Sequence, residues 1–287
     1  MLSRGPRGRL WPMPATCAWC GGSPVTREHL LPHWLGKVLQ DWSPSDDGYD
    51  FAYVYSTEAG EGTPRTYVVG RPEIVVKAVC EDCNGGWMSQ LEREVIPFLG
   101  PMVRGEEVHL DVAAQVVLAR WAAKVAVLLD EYERGAVVLA EGDMDTVFRE
   151  GVAPSGFHVR LAYRAEDEPA PFDFYLSNHY AAPAGQLDQD VADASEANTF
   201  SVTMGIGRVA ISVIGGPGID NPERWREGSD FPLMIWPPTV PGIDWPPANP
   251  RLPLRDGLRE FHESFWTRIS NPGFPRPDAL RHVQPPD

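Results

Sequence analysis

Cysteine is scarce in this chain, with four in 287 residues, and the shortage excludes a disulfide-dense secreted scaffold. An apolar stretch of signal length is missing too: residues 1–16 carry arginines and prolines where a secretory leader needs an apolar core. A reducing, cytoplasmic setting is therefore expected. The most hydrophobic run, residues 112–129, contains Gln115, Arg120 and Lys124. Charge at the centre of a bilayer is costly, so the run is expected to be a buried helix, with no membrane partner.

Basic charge is also in short supply. The chain has 25 Lys and Arg against 40 Asp and Glu, a formal net charge of -15, which argues against nucleic acid until it is divided along the chain. Residues 1–104 hold 10 basic against 12 acidic side chains, and residues 105–287 hold 15 against 28. Contact with phosphate then belongs to the first part. There Arg4, Arg7, Arg9 and Arg27 form either a basic arm that follows a backbone or, for the first three, a frayed terminus. The length and a 43% hydrophobic content support a real core and two domains, residues 1–104 and 105–287.

What is present begins with those same cysteines, which fall as two Cys-x-x-Cys pairs, Cys17/Cys20 and Cys80/Cys83. Two such knuckles place four thiolates about 2.3 Å from one tetrahedral zinc and fill its coordination shell, so the ion would be structural. Two disulfides or four unrelated core thiols are the alternatives. Neither pair opens a helix after a parallel strand, as a thioredoxin-type motif would.

Cys17-x-x-Cys20, Glu28-His29-x-x-Pro32-x-Trp34, Cys80-x-x-Cys83-Asn84-x-x-Trp87-Met88 and Leu91-Glu92 together resemble the HNH endonucleases, in their zinc-ribbed, ββα-metal branch. The likeness spans roughly the first third of the chain. It implies that His29 is the general base that takes a proton from the attacking water, a task suited to an imidazole with a pKa near 6.5. It implies that Glu28 and Asn84 hold one Mg²⁺ or Mn²⁺, since oxygen ligands suit a hard cation. The partner implied is nucleic acid, expected to be DNA.

Each position has a plainer reading. His29 could be a satisfied core histidine, Glu28 could only orient the imidazole, and Asn84 could cap a helix. Pro32 separates His29 from His33, whose plainer reading is solvent-facing or phosphate-touching. Trp34 and Trp87 read as wedges of the small core around zinc. The chain departs from many HNH relatives by having no Asn between His29 and Asn84, and no His on the helix that follows Asn84.

The fold class expected is α+β: the zinc-stapled HNH module, then a mixed α+β accessory domain with a long helix and an antiparallel sheet. In the first part, periodicity and breakers predict a strand ending at His29, a short helix over 34–40 and a polar insertion over 41–62. Strands at 66–69 and 74–79 follow, then a helix over 84–94 stopped at Pro97. In the second part a long helix covers 111–132 with Trp121 and Leu128 facing inward. Alternating runs at 157–163, 172–176, 200–206 and 208–214 form the antiparallel sheet. The repeated Trp-Pro-Pro at Trp236 and Trp245 predicts an extended strap that closes this domain or serves as a ligand for a partner. A last helix over 254–269 places Leu258, Phe261, Phe265 and Ile269 on one face.

Three functions fit: a metal-dependent HNH nuclease cutting DNA, a degenerate module that binds nucleic acid without cutting, or a zinc-stapled scaffold for protein contacts through the acidic domain.

Overall fold

Asp111 starts the central helix: its Oδ1 accepts the Ala114 N–H at 2.8 Å, satisfying one of the donors that every helix start leaves without a partner. The helix, α4 (Val112–Glu133), then buries every residue from Trp121 to Leu129. Trp121 and Leu128, two turns apart, are both fully buried. By length and composition alone α4 could cross a membrane, yet 67% of its apolar window is inside the protein.

The computed structural model describes residues 2–4, 10–12, 16–39, 49–53, 65–69, 74–133, 139–165, 172–179, 198–217, 233–248, 251–252, 257–259 and 261–262. These residues form a mixed α+β structure of helices and several sheets.

The largest sheet has six strands. It is built on β8 (His158–Arg164), β9 (Phe172–His179), β10 (Thr199–Ile206) and β11 (Val209–Gly215), in the order β8-β11-β10-β9, and these four pair antiparallel. Strand alternation sorts its two faces. Phe200, Val202, Met204 and Ile206 belong with Val209, Ile211 and Val213 to the apolar core that includes α4. Ser201 and Thr203 lie with Ser212 and Arg160 on the other face, which is also buried. There Leu258 and Phe261 pack on Ala162 and Ala210. The two-residue turn between β10 and β11 needs Gly207, whose φ is +51° and whose missing Cβ would meet the Val103 carbonyl oxygen at 2.6 Å.

In the first part β3 (Val25–His29) pairs antiparallel with β6 (Val75–Cys80), and α1 (His33–Val38) follows β3 directly. After Cys80 the chain makes one helical turn, α2 (Glu81–Cys83), then a π-type stretch over Asn84–Met88 kinked at Gly86, then α3 (Ser89–Arg104). α3 ends in a Schellman motif at left-handed Gly105, where Gly105 N–H donates to the Met102 carbonyl at 3.0 Å and Glu106 N–H to the Pro101 carbonyl at 3.0 Å.

Several expectations need correction. Helix α3 does not stop at Pro97 but includes Pro97 and Pro101. Each proline removes a backbone hydrogen bond, and burial of Leu91, Val95, Leu99, Met102 and Val103 along one stripe offsets that loss. Part of the 41–62 insertion is a strand, β4 (Tyr49–Tyr53), paired with β5 (Arg65–Val69). The basic arm is in part a hairpin, β1 (Leu2–Arg4) with β2 (Leu10–Pro12), while Arg7 and Arg9 lie outside the described residues.

The Trp-Pro-Pro strap is extended but paired. Trp236 ends β12 (Leu233–Trp236), which joins β8, and Trp245 ends β13 (Gly242–Trp245), which joins β7 (Val108–Asp111). The short β14 (Arg251–Leu252) runs parallel beside β8. Of the last predicted helix, 257–259 and 261–262 are helical and bury Leu258 and Phe261, whereas Phe265 and Ile269 lie outside the described residues. One hydrophobic cluster, from Cys17 through Trp121 to Trp245, spans both sides of residue 104.

Candidate functional site

Two glycines shape the first knuckle. Gly21 takes φ +70°, a left-handed conformation that side chains disfavour, and its N–H donates to the Cys17 carbonyl at 2.9 Å. Gly22 then donates its N–H to Cys20 Sγ at 3.3 Å. A Cβ on Gly22 would stand 3.1 Å from that sulfur, so a larger residue there would require the sulfur to give by a few tenths of an ångström. Ala18 N–H donates to the Ala78 carbonyl at 2.8 Å and so ties the knuckle to β6. Strand β6 ends in Cys80, and one helical turn later comes Cys83.

The four sulfurs converge. All lie within 4.8 Å of one another, with Cys20 Sγ and Cys80 Sγ 3.5 Å apart. Sulfurs on a tetrahedron around an ion with bonds of about 2.3 Å are spaced about 3.8 Å, so this donor set fits a metal ion such as zinc. Burial pushes the Cys83 thiol well above its usual range. Binding of an ion would displace that proton, which couples metal affinity to pH. Trp19 and Trp87 wedge beside the knuckles with ring centroids 5.0 Å apart in an edge-to-face arrangement. The Arg120 guanidinium of α4 sits 5.0 Å over the Trp87 ring and donates to the Val147 and Phe148 carbonyls at 2.9 and 3.3 Å.

Convergence of the cysteines brings the strand that carries Glu28 and His29 beside Asn84. Asn84 Nδ2 donates to the Arg27 carbonyl at 3.5 Å, and its side chain stands close enough to the Glu28 carboxylate to lower that group's pKa. Two oxygen-bearing side chains, far apart in the chain, therefore stand together at one spot. A carboxylate and an amide oxygen are ligand types that a hard divalent cation takes, and the end of the Asn84 amide turned to β3 is its Nδ2. Asn84 is the first residue of the helical stretch Asn84–Met88, whose N-cap position is Cys83.

His29, the last residue of β3, is half-buried, while Glu28 before it is buried. Its ring lies 4.3 Å from that of exposed His33 at the start of α1. The structure thus joins Glu28 to Asn84, and His29 to His33. The intervening Pro32, extended at φ -65° and ψ 150°, precedes the first helical residue, so the two histidines sit in different elements yet their rings are close.

Two further residues escaped the sequence reading. Lys124 of α4 is fully buried, donates to Glu92 Oε1 of α3 at 3.0 Å, and has its Nζ 3.8 Å from Glu28 Oε1. Burial raises the Glu28 pKa from 4.5 to about 7, against the opposing charge of Lys124; the Glu92 carboxylate adds to the rise and the Asn84 side chain opposes it. Two signals were visible: a lysine in the middle of the most apolar run, and a glutamate one turn before the first proline of α3. A charge so placed needs a partner.

No family model, curated protein or solved structure matches the chain. The chemistry open to the site thus follows from its own groups: four cysteines that could hold a metal ion, and next to them a carboxylate, an amide and an imidazole.

Proposed function

We propose that the chain is a metal-dependent HNH endonuclease hydrolysing phosphodiester bonds of DNA. In this reading zinc occupies the four thiolates and holds together a ββα-metal unit made of β3, β6 and the helical segment from Glu81. The observation that carries it is the reach of Asn84, beside the cysteine cluster, to the strand that holds Glu28, where its Nδ2 donates to the Arg27 carbonyl at 3.5 Å, since Glu28 and Asn84 are two of the three positions the HNH resemblance assigns to catalysis. His29, third of the set, accepts the proton of the attacking water, and it is part-exposed at the end of β3. A Mg²⁺ or Mn²⁺ held by Glu28 and Asn84 supplies, when bound, neutralisation of charge on the scissile phosphate and the leaving oxygen.

A degenerate module that binds nucleic acid without cutting is the second reading. It is favoured by the pairing of buried Glu28 with Lys124. The scaffold reading loses part of its basis, because both strap indoles are used within the chain: Trp236 Nε1 donates to the Pro154 carbonyl at 2.8 Å and Trp245 Nε1 to the Met102 carbonyl at 3.2 Å.

Supercoiled plasmid with Mg²⁺ or Mn²⁺ tests the proposal. Wild-type protein is expected to nick or linearise it, and His29→Ala to lose about 10²–10⁴ in rate while its zinc content stays the same. Equal cutting by His29→Ala with every ion would end this assignment of the base. Retention of DNA with no cutting by wild type would favour the binding module.

A further inference from the structure

Lys124 is buried outright, and burying an ammonium is expensive unless opposite charge accompanies it. Its partners come from two different elements. Glu92 lies on α3 at 3.0 Å, and Glu28 lies on the strand that carries His29, with a carboxylate oxygen at 3.8 Å. Helix α4 belongs to the part of the chain that the HNH resemblance does not cover, so the contact joins that part to the candidate nuclease site. Asn84 reaches the same strand one residue earlier, donating to the Arg27 carbonyl at 3.5 Å. Any divalent cation taken up by Glu28 and Asn84 would meet a resident positive charge already compensating Glu28 and Glu92.

We infer that Lys124 is a positioning residue that fixes the Glu28 carboxylate against Asn84 and competes with the divalent cation for it, which weakens ion binding. The inference rests on the nuclease reading for the identity of the ion site. Two expectations of opposite sign follow. Losing the ammonium leaves Glu28 and Glu92 as an uncompensated acidic pair, so Mn²⁺ should bind more tightly even as cleavage declines through lost orientation. Losing the Glu92 charge instead leaves Lys124 to Glu28 alone, so Mn²⁺ should bind more weakly. A lysine that only packs the core would not tighten ion binding when removed.

The test is Mn²⁺ titration of the full, zinc-loaded chain by electron paramagnetic resonance, with plasmid cleavage in parallel. The site counted is the one lost in Glu28→Gln. Lys124→Met is expected to lower the Mn²⁺ dissociation constant on the order of tenfold, with cleavage reduced at saturating Mn²⁺. Lys124→Arg, which keeps the charge, should stay within about twofold of wild type for Mn²⁺, and Glu92→Gln should raise the constant several-fold.

A folded Lys124→Met that binds Mn²⁺ no more tightly than wild type overturns the inference. If Lys124→Met does not fold, an unchanged constant in Glu92→Gln overturns it, as does a wild type with no Mn²⁺ site that depends on Glu28. The two readings fail separately. Cleavage by wild type without the Lys124→Met shift leaves the nuclease and removes this role for Lys124; the shift without cleavage does the reverse.

Discussion

The β3/β6 region and the β8–β11 sheet solve the same problem, holding polar groups inside a protein, in different ways. In the first, four cysteines are drawn into one cluster, three of them buried, and Lys124 lies buried between Glu28 and Glu92. In the second, hydroxyls and an imidazole are linked in hydrogen-bonded chains, such as Thr203, Ser212 and His262, and an ion pair, buried Arg164 with Asp173 at 2.9 Å, links β8 to β9 of the same sheet. Charge buried with few partners makes a site responsive to ions and pH. A satisfied hydroxyl network makes a sheet face specific in its packing.

The comparison breaks most visibly at the metal. Cys83→Ser should abolish zinc binding, and loss of a structural ion removes an apparent stabilisation of about 10–16 kcal/mol from the segment it organises. Hydrogen exchange should then show β3 and β6 unprotected while β10 and β11 keep their protection. Elemental analysis well below one zinc per chain in reduced wild-type protein would refute the premise. Loss of protection in both sheets together would show that the shared hydrophobic cluster makes them one cooperative unit.

A core truncation tests the other region. Phe200 is fully buried on the apolar face, edge-on to Phe157 with centroids 5.2 Å apart. Phe200→Ala should cost about 3–5 kcal/mol in urea unfolding and leave zinc content unchanged. A loss below about 1 kcal/mol would mean that the apolar face collapses to fill the space.

How much of this was legible differs between the regions for a physical reason. The cysteine cluster and the strand ending at His29 are written in local motifs, and the spacing of Cys17, Cys20, Cys80 and Cys83 survives any choice of element boundary. Helix α4 and the four long strands are written in periodicity, which marks faces well and ends poorly. The contacts of Lys124 were not legible, because nothing local to α4 names α3 and β3 as the elements that pack on it. The run through Pro97 and Pro101 was hidden for a similar reason: a proline rule is local, and the buried stripe that overrides it is tertiary.

The pH response sharpens the contrast next. Burial holds the folded-state pKa of Glu28 near 7, above its ordinary 4.5. The folded chain therefore keeps a proton there that the unfolded chain releases. The stabilisation attached to it is full below the unfolded pKa and is lost as pH rises through about 7. Glu28→Gln lacks this dependence. Without added divalent cation, wild type should lose about 1–3 kcal/mol relative to Glu28→Gln between pH 5 and pH 8 in paired urea unfolding curves. Parallel pH profiles for the two proteins would contradict the burial argument.

The smallest effect is expected in the neutral network, at Thr203. Its hydroxyl lies 3.0 Å from His262 Nδ1 and donates to Ser212 Oγ at 3.1 Å, so it links the last described helix to the middle of the sheet. Thr203→Val keeps the volume and removes that link. The neighbours keep other partners: Ser212 still receives Arg160 Nη2 at 3.3 Å, and His262 Nε2 keeps Ser177 Oγ at 2.8 Å, with Ser201 Oγ 3.4 Å from Nδ1. Because no buried group is stranded outright, the cost should be that of one exchanged hydrogen bond, about 1 kcal/mol. Urea unfolding of the zinc-loaded protein at one pH measures it. A loss above about 3 kcal/mol would show that the hydroxyl chain acts as a unit, and that the sheet face is as exposed to single failures as the ionic site it is contrasted with.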